Sequence, residues 1–389
     1  MTHLLAPLSV SLRDPSAILD DLETAIAGRH SYVPVPADDK TKAELLRNHM
    51  RVGEPIAEDI ALVVPTSGST GTPKGAQLTA ANLVASADAT HERLGGPGQW
   101  LLAMPAHHIA GIQVLVRSLV AGVEPLCLDL SHGFDVPAFA KAAAELAATG
   151  DRMYTGLTPM QLAKAMDSLQ GIDALREFDA ILVGGAATHP QLLESARKLR
   201  IRPVTTYGSS ETAGGCVYDG VSLRDTEIQI DDDGRILLGG PTIAHGYRNV
   251  HSDAFHDGWF ATSDAGYLNG DTLTVTGRLD NIINSGGLKL HPEALEQLLL
   301  HIPGVDAACV VGIPDKRLGQ MIVAAYTGWA SRTDILIALD DLPRWQVPKD
   351  VKRLPEMPLT GPGKVDRRAV TALFRKHRHD PQLLLRLRE

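Results

Sequence analysis

The chain has 389 residues and a formal net charge of −9 at pH 7, from 37 Lys and Arg against 46 Asp and Glu. No basic block offers a surface for phosphate backbones, so we expect neither a nucleic acid nor an anionic membrane as a partner. Hydrophobic residues make up 44% and charged residues 21%, which is typical of a globular protein and excludes a disordered or fibrous chain. At about 150 residues per domain, the length predicts two or three domains.

Three cysteines, Cys127, Cys216 and Cys309, lie far apart in the chain and form no CxxC pair. They suggest neither a disulfide framework nor a structural zinc site. The segment from Met1 to Arg13 lacks the charged and apolar regions of a signal peptide, and no stretch approaches the roughly 18 apolar residues of a membrane span. We therefore expect a cytoplasmic protein with reduced thiols.

Apolar runs and helical patterns alternate through the first half of the chain. Ile60 to Val64 predicts a strand that leads into a Gly/Ser/Thr-rich loop, and Thr79 precedes a helical pattern from Ala80 to about Arg93. The alternation continues with strands at 100–104, 124–128 and 180–183 and with helices at 111–120 and 137–148. Strands that alternate with helices predict parallel βαβ units.

The pattern changes after about residue 220. Short segments separated by Asp/Gly turns predict antiparallel hairpins, at 227–230, 235–238 and 272–276. A helical segment and two strand segments follow, at 291–301, 307–313 and 321–326. The sequence thus predicts an α/β fold class: a large N-terminal domain of parallel βαβ units with an added β-rich subdomain, and a small α+β C-terminal domain, over 1–279 and 280–389.

The most informative segment is the loop after the first of these strands, Thr66-Ser-Gly-Ser-Thr-Gly-Thr-Pro-Lys-Gly75. Its glycines permit unusual backbone angles, its hydroxyl and N–H groups donate to phosphate oxygens, and Lys74 adds a positive charge. It is not the P-loop of kinases and GTPases, because Pro73 and Gly75 flank the lysine. We predict a triphosphate ligand, and a flexible surface loop is the alternative.

This loop resembles the phosphate loop of the adenylate-forming superfamily, which contains acyl-CoA synthetases, firefly luciferases and peptide-synthetase adenylation domains. Further motifs of that superfamily follow in order, namely Gly184-Gly-Ala186, Tyr207-Gly-Ser-Ser-Glu211, Gly258-Trp-Phe-Ala-Thr-Ser-Asp264, Gly277-Arg-Leu-Asp280, Ser285-Gly-Gly287 and Thr360-Gly-Pro-Gly-Lys364. The resemblance implies activation of a carboxylic acid with ATP and Mg²⁺ through an acyl-adenylate, followed by transfer to coenzyme A.

The resemblance also implies roles for individual residues. It assigns ATP and AMP binding to Thr66, Ser67, Gly68, Ser69, Thr70, Gly71, Lys74, Gly184, Gly185, Ala186, Tyr207, Gly208, Ser209, Ser210, Asp264 and Arg278. Tyr207 is expected to stack on adenine and Asp264 to accept the ribose hydroxyls. Glu211 is expected to hold Mg²⁺, which favours one or two carboxylates together with phosphate oxygens. Ser210 stands where the family usually has threonine, so the hydroxyl is kept and the methyl is lost.

In this family the small C-terminal domain is mobile and rotates between the two half-reactions. Lys364 is expected to serve adenylate formation, where a positive charge meets the redistributing negative charge. Asp280 matches the hinge residue, which suits an exposed polar position between domains. Gly286 and Gly287 are expected to serve the thioester step together with Lys289, for which a solvated strand residue is the alternative.

A histidine and an arginine indicate which acid is activated. His108, in Met104-Pro-Ala-His-His-Ile-Ala-Gly111, matches the family histidine that gates or lines the acyl pocket, and Ser209 is assigned to the same pocket. Arg117 interrupts an otherwise apolar helix nine residues later, as in the o-succinylbenzoate-CoA ligases of menaquinone biosynthesis. Its planar fork suits the second carboxylate of a diacid. The alternatives are a structural ion pair for Arg117 and, for the two adjacent histidines, a metal site.

The sequence therefore predicts an o-succinylbenzoate-CoA ligase with small-molecule substrates. The phosphate loop begins already at Thr66, which matches the abbreviated N-terminal subdomain of the short family members. The alternatives are a ligase for another aryl or short acyl acid, an adenylation domain that loads a carrier protein, and a nucleotide-binding protein without activity. A homodimer is left open.

Overall fold

The computed structural model describes residues 2–66, 72–360 and 365–378, with side chains described as far as residue 375. These residues divide between two compact units. The first takes the described part of Met1–Gln229 with Leu237–Thr262 and Leu268–Leu273, and the second takes Ile230–Ile236, Ser263–Tyr267 and the described part of Thr274–Glu389.

Helices lie between most of the strands as far as about residue 200, and strands predominate from there to α9. The helices are α1 (Leu19–Ile26), α2 (Lys40–His49), α3 (Ala80–Leu94), α4 (Ile109–Ala121), α5 (Val136–Ala147), α6 (Pro159–Met166), α7 (Leu169–Glu177), α8 (Pro190–Lys198), α9 (Pro292–Leu300), α10 (Arg332–Ala338) and α11 (Arg367–Arg378). Short 3₁₀ turns lie at Pro15–Ile18, Ser210–Thr212 and Leu279–Asn281.

The strands up to Ile230 are β1 (Thr2–Val10), β2 (Ser31–Pro36), β3 (Pro55–Ala57), β4 (Ile60–Thr66), β5 (Lys74–Thr79), β6 (Gln99–Leu102), β7 (Leu126–Cys127), β8 (Met153–Leu157), β9 (Ala180–Val183), β10 (Pro203–Ser209), β11 (Gly214–Tyr218), β12 (Val221–Ser222) and β13 (Glu227–Ile230). The later strands are β14 (Arg235–Gly239), β15 (Phe255–His256), β16 (Trp259–Asn269), β17 (Thr272–Arg278), β18 (Ile283–Ser285), β19 (Leu288–Leu290), β20 (Val305–Asp315), β21 (Gly319–Gly328) and β22 (Asp350–Arg353). The predicted segments at 227–230, 235–238 and 272–276 are all found as strands.

The first unit begins with a sheet in the order β3-β1-β2-β4-β5. Strands β1, β2 and β4 are parallel, and the edge strands β3 and β5 are antiparallel to their neighbours. Every residue of β2 is buried, as expected for a central strand. Sequence reasoning left the segment 1–55 without a predicted structure, and this segment supplies β1, β2 and the start of β3.

A second sheet of the first unit holds the predicted parallel βαβ units. Strands β10, β9, β8, β6 and β7 are parallel and lie in that order, and β11 pairs antiparallel with β10. Alternate residues of β6 enter two different cores: Trp100 and Leu102 lie in one, and Leu101 lies in the other. Both faces of the sheet are therefore covered, which explains the uninterrupted apolar run in the sequence.

The sequence signals at element ends agree with the structure at the start of α3 and differ from it at two strands. Thr79 caps α3 and forms a reciprocal pair of hydrogen bonds with Asn82. The predicted strand at 124–128 shrinks to two residues, since it lies at the edge of the sheet and Pro125 lacks the N–H that a ladder needs. Strand β5 was predicted as loop, and it forms because it pairs with β4 along its length.

The second unit contains an antiparallel sheet in the order β19-β18-β21-β20, with β22 parallel to β21. Helix α9 contributes Leu295 and Leu299 to the core on one face of this sheet. Helix α11 contributes Val370 and Phe374 to the core on the other face. The α/β class with a β-rich part and a smaller α+β C-terminal unit is confirmed. Within the described ranges, no helix is long and apolar enough to cross a membrane.

Candidate active site

The two arms of the predicted phosphate loop are neighbouring antiparallel strands. Thr66 ends β4, Lys74 begins β5, and the two residues are paired across the ladder. The Lys74 ammonium lies 5.0 Å from the centre of the Tyr247 ring, within the range of a cation–π contact. The residues between these arms that were predicted to bind phosphate, Ser67, Gly68, Ser69, Thr70 and Gly71, lie outside the described residues.

A short segment, residues 245–249, runs beside β5 and is hydrogen-bonded to the Lys74 end of the loop. We call it the 245–249 segment. The Gln77 N–H donates to the Gly246 carbonyl at 2.9 Å, and the Arg248 N–H donates to the Gly75 carbonyl at 2.7 Å. The Asn249 amide accepts from the Gly75 N–H at 3.1 Å and donates to the Pro73 carbonyl at 2.9 Å. Backbone and side chain together fix the exit of the loop.

Glu211, the predicted Mg²⁺ ligand, lies in the 3₁₀ turn Ser210–Thr212 and is 8% exposed. Its Oε1 accepts a hydrogen bond from the Tyr247 hydroxyl at 2.7 Å. Burial raises the pKa of Tyr247, and the Glu211 charge raises it further, so the phenol stays protonated and donates. The turn itself is fixed by Thr212, whose hydroxyl accepts from the Ser209 N–H at 2.9 Å.

Ser209 and Ser210 directly precede Glu211 in the chain. The Ser209 hydroxyl is buried without a hydrogen-bond partner among the described residues, whereas Ser210 is half-buried. Helix α4 packs against the same turn, because Gln113 donates to the Ala213 carbonyl at 2.7 Å. The other amide atom of Gln113, Oε1, is also buried without a partner in the described chain. Unpaired buried polar atoms are costly, so they mark a place where a ligand can supply the missing bonds.

The predicted adenine site lies at the carboxyl ends of two parallel neighbours, β9 and β10. Gly184, Gly185 and Ala186 follow β9, and Tyr207 and Gly208 lie in β10. A side chain at Gly184 would collide with Thr206, and one at Gly208 would collide with the Gly214 backbone. Tyr207 is half-buried. The structure thus brings the two motifs together at the sheet edge where open α/β sheets bind ligands.

Asp264, predicted to accept the ribose hydroxyls, and Arg278, predicted to bind the ribose or phosphate of the nucleotide, are neighbours in the second unit. Nη1 of Arg278 lies 3.7 Å from Oδ1 of Asp264. The same guanidinium forms a two-pronged pair with Asp280, from Nε to Oδ1 and from Nη2 to Oδ2, each at 2.8 Å. The hydrogen-bonded charge of Asp280 is the main cause of a raised pKa at Arg278. The predicted hinge residue is therefore hydrogen-bonded to the predicted nucleotide-binding arginine.

The predicted thioester loop is the turn between β18 and β19. Gly286 and Gly287 have φ of +60° and +83°, which favours glycine at both positions. Lys289 lies in β19 and is exposed. Lys364 lies outside the described residues. Arg367, three positions later, pairs with Glu293 at 3.3 Å and with Glu296 at 2.7 Å.

The paired histidines precede α4. His108 occupies the N-cap position of that helix and is half-buried, and its ring centre lies 4.3 Å from that of His107. Burial, with the charge of His108 as a lesser cause, lowers the pKa of His107 to about 3, so His107 is neutral. Across the described ranges, no three His, Cys, Asp or Glu side chains are grouped so as to hold a metal ion.

Arg117 lies in the middle of α4 and is 4% exposed. Its Nη2 donates to the Tyr218 hydroxyl at 3.3 Å, and its guanidinium carbon lies 4.9 Å from the centre of the Trp100 ring. Its Nε is buried without a partner, and no carboxylate pairs with it anywhere in the described chain. Burial lowers the pKa of Arg117. The structural ion pair, which was the alternative for this arginine, is therefore not found among the described residues.

The two aromatic neighbours of Arg117, Tyr218 and Trp100, each have a further hydrogen-bond partner. A guanidinium only donates, so the Tyr218 oxygen accepts from Arg117, and the Tyr218 hydroxyl also shares a hydrogen bond of 2.9 Å with the Thr90 hydroxyl. The Trp100 indole N–H donates to Nε2 of His91 at 3.3 Å. Burial, and then the Arg117 charge, lowers the pKa of His91 to about 4, so this histidine is a neutral acceptor.

Sequence reasoning missed Tyr247, Asn249, Tyr218 and Trp100. None of them belongs to a motif, and their partners lie far away in the chain. No periodicity or spacing in a single sequence marks such residues, whereas the structure identifies them directly.

Comparison with known families agrees with this arrangement. The family described as AMP-binding enzyme matches residues 12–248, and the AMP-binding enzyme C-terminal domain matches residues 294–364. The chain belongs to the AMP-binding enzyme family. The resemblance to the adenylate-forming superfamily, stated from the motifs, is thereby confirmed.

Two curated relatives are similar to this chain over most of their length. A protein of Mycobacterium tuberculosis named as a probable 2-succinylbenzoate–CoA ligase is 45% identical over 372 residues, which cover 92% of this chain and 95% of the relative. The 2-succinylbenzoate–CoA ligase of Enterococcus faecalis is 32% identical over 402 residues, covering 94% of this chain and 80% of the relative.

Solved structures show the same fold at lower sequence identity. The o-succinylbenzoate CoA synthetase MenE of Bacillus subtilis, in complex with its acyl-adenylate intermediate, has a TM-score of 0.80 at 22% identity, over 94% of this chain and 87% of the other. The ATP-bound MatB of Rhodopseudomonas palustris has a TM-score of 0.83 at 17% identity, over 96% and 89%. At these identities the likeness concerns the fold.

Proposed function

We propose that this protein is an AMP-forming acid–CoA ligase and that its acid is o-succinylbenzoate. In the first step the acid's carboxylate attacks the α-phosphorus of ATP, which gives an acyl-adenylate and releases pyrophosphate. In the second step the thiol of coenzyme A attacks the acyl carbon, and AMP leaves. The family and the activity named for the 45% identical relative support this proposal.

The observation that carries the choice of acid is the environment of Arg117. A buried cation without an anion is expensive, and its cost falls when a ligand brings a carboxylate. The buried Nε has no partner among the described residues, so it is left to donate to such a group. o-Succinylbenzoate has two carboxylates, and the one that is not activated meets this arginine. His108 and Ser209 complete the proposed acid site.

We assign the ATP site to the residues of the matching motifs. These are Thr66, Ser67, Gly68, Ser69, Thr70, Gly71, Lys74, Gly184, Gly185, Ala186, Tyr207, Gly208, Ser209, Ser210, Asp264 and Arg278. Two observations support the assignment: the adenine motifs meet at the carboxyl ends of parallel strands, and the 245–249 segment fixes Lys74 at the loop exit.

The residues present fit a Mg²⁺ ion. Tyr247 occupies one oxygen of the Glu211 carboxylate, and a single carboxylate together with phosphate oxygens is a donor set that Mg²⁺ favours. When bound, the ion neutralises charge on the phosphates. Glu211 holds the ion, and Lys74 neutralises phosphate oxygens from the loop.

The C-terminal residues are assigned to the two half-reactions. Lys364 stabilises the charge that develops during adenylation, and Gly286, Gly287 and Lys289 serve the thioester step. The proposal includes a hinge at Asp280, between a large domain over 1–279 and a small mobile domain over 280–389. It also includes small-molecule substrates, the cytoplasm as compartment, where the three free cysteines stay reduced, and a homodimer as the assembly to test.

Acid-dependent exchange of pyrophosphate into ATP tests the first step without coenzyme A. We expect exchange with o-succinylbenzoate and little exchange with benzoate, coumarate or a medium-chain fatty acid. Faster exchange with benzoate than with o-succinylbenzoate would refute the assigned acid and leave the reaction class intact. No exchange with any acid, at saturating ATP and Mg²⁺, would refute the reaction class.

A further inference from the structure

One tyrosine outside every motif contacts two of the proposed ATP-site residues at once. The Tyr247 hydroxyl donates to Oε1 of Glu211 at 2.7 Å, and its ring lies 5.0 Å from the Lys74 ammonium. Glu211 and Lys74 lie on different elements, the 3₁₀ turn after β10 and the start of β5. Tyr247 is therefore a physical link between the proposed Mg²⁺ ligand and the proposed phosphate-binding lysine.

The hydrogen bond from Tyr247 restricts the orientation of the Glu211 carboxylate. A carboxylate oxygen only accepts, so the Tyr247 hydroxyl is the donor of the hydrogen bond to Oε1. Glu211 is nearly buried, so solvent competes little for that oxygen. With Oε1 engaged, the carboxylate plane is fixed and Oε2 remains for a cation. Partners of this kind orient metal ligands and hold their geometry.

The tyrosine ring is itself held in place. Its backbone bridges to Ala76 of β5, and Gly246 and Arg248 on either side of it are hydrogen-bonded to that strand. Phe255 meets the ring edge-on with 5.1 Å between centres. Because its backbone and Phe255 hold the ring in place, the ring can orient the side chains that contact it.

We propose that Tyr247 is a positioning residue that orients the Glu211 carboxylate for Mg²⁺ and the Lys74 ammonium for the phosphates of ATP. This inference rests on the proposed function, since ATP and Mg²⁺ are the ligands assigned there. In this role Tyr247 acts through the side chains of Glu211 and Lys74, so its loss changes the affinity for the metal and the nucleotide rather than the identity of the acid.

Two substitutions separate the hydroxyl from the ring. Tyr247→Phe keeps the ring over Lys74 and removes the hydrogen bond to Glu211. Calorimetric titration of ATP at a series of Mg²⁺ concentrations is expected to show an increase of about tenfold in the half-saturating Mg²⁺ concentration. Tyr247→Leu also removes the ring, and we expect ATP to bind about fivefold more weakly still at saturating Mg²⁺, from the lost cation–π contact.

A matched control is available in the same unit. Tyr32 donates to Asp21 at 3.0 Å, a tyrosine–carboxylate hydrogen bond between residues assigned no role in ATP or Mg²⁺ binding. Tyr32→Phe is expected to leave the Mg²⁺ dependence of ATP binding at the wild-type value. Melting temperatures of all variants without ligand verify that each is folded.

The outcomes separate this inference from the proposed function. The positioning role alone is overturned if the half-saturating Mg²⁺ concentration is unchanged or lower in Tyr247→Phe while it is higher in Glu211→Gln. Unchanged Mg²⁺ dependence in both variants overturns the assignment of Glu211 and the inference with it. A shift of similar size in Tyr32→Phe would show that the effect is a general loss of packing, which also contradicts the inference.

Discussion

Replacement of Arg117 by methionine separates the effect of the buried guanidinium on the stability of the fold from its effect on binding of the diacid. Methionine fills much of the same volume and carries no charge, so it removes the cation from a site where no carboxylate pairs with it among the described residues. Tyr218 keeps its hydrogen bond to Thr90 in this variant. We expect Arg117→Met to leave the protein about as stable as the wild type and to bind the diacid poorly.

The expected magnitudes follow from the contacts. The substitution removes a hydrogen bond from a charged donor at 3.3 Å, worth about 1.5 kcal/mol, and a desolvated cation–π contact, worth about 2 kcal/mol. It also removes the desolvation penalty of the ion, which is on the order of several kcal/mol. These terms nearly cancel, so we expect the free energy of unfolding to change by less than about 2 kcal/mol.

The effect on acid binding has no such compensation. Removal of one partner of a buried charge pair costs at least about 2 kcal/mol of binding free energy. Since about 1.4 kcal/mol corresponds to a tenfold change, the dissociation constant of o-succinylbenzoate should rise at least about 30-fold. Analogues that lack the carboxylate facing Arg117 should bind the variant and the wild type about equally.

The assay pairs urea unfolding with calorimetric titration of o-succinylbenzoate and of two monoacid analogues, each lacking one carboxylate. Arg93→Met is the control, since Arg93 forms an exposed pair with Asp219 at 3.6 Å and should change neither quantity much. A similar loss of affinity for the diacid and both monoacids in Arg117→Met would refute the charge argument. A large fall in stability with unchanged diacid affinity would make Arg117 structural.

Three further predictions concern pH, the half-reactions and packing. The pKa of His91 is about 4 in the folded protein and 6.5 in the unfolded chain. As the pH falls from about 6.5 towards 4, the unfolded chain is protonated first, so the free energy of unfolding falls. Between about pH 7 and about pH 5, urea unfolding should show a smaller fall in the free energy of unfolding for His91→Gln than for the wild type. An equal fall in both proteins would contradict a buried neutral histidine. Lys364→Ala should suppress pyrophosphate exchange and spare thioester formation from preformed acyl-adenylate, and equal loss in both would count against its proposed role. Gly111→Ala would place a Cβ against the Pro105 backbone. Its thermal unfolding should therefore show a free energy of unfolding that is lower by about 1–3 kcal/mol. An unchanged melting curve would mean that the turn before α4 moves to accommodate the methyl group.

The fold was predictable where a local pattern decides the structure. The apolar run at 180–183 is too short for a helix and predicts a buried strand, and β9 has those bounds. Strand β5 was not predictable, because Lys74 and Gln77 are typical of a loop and the strand depends on pairing with β4 and the 245–249 segment. Non-local pairing of this kind leaves no mark in a single sequence.

The site was predictable to the extent that motifs define it. Gly184 and Tyr207 were named from motifs, and the structure brings those motifs together at one edge of the sheet. The charge of Arg117 in an apolar helix was visible in the sequence, but its neighbours Trp100 and Tyr218 were not, because they come from β6 and β11. A hydrogen-bond network across three elements becomes visible only when the chain is folded.

The most direct test of the proposed function is product analysis of the complete reaction. The purified protein is incubated with ATP, Mg²⁺, coenzyme A and o-succinylbenzoate, with no carrier protein present, and the products are identified by mass spectrometry. The account predicts the mono-coenzyme A thioester of o-succinylbenzoate together with AMP and pyrophosphate in equal amounts. Accumulation of the acyl-adenylate without thioester, or thioester formation only with a different acid, would contradict it.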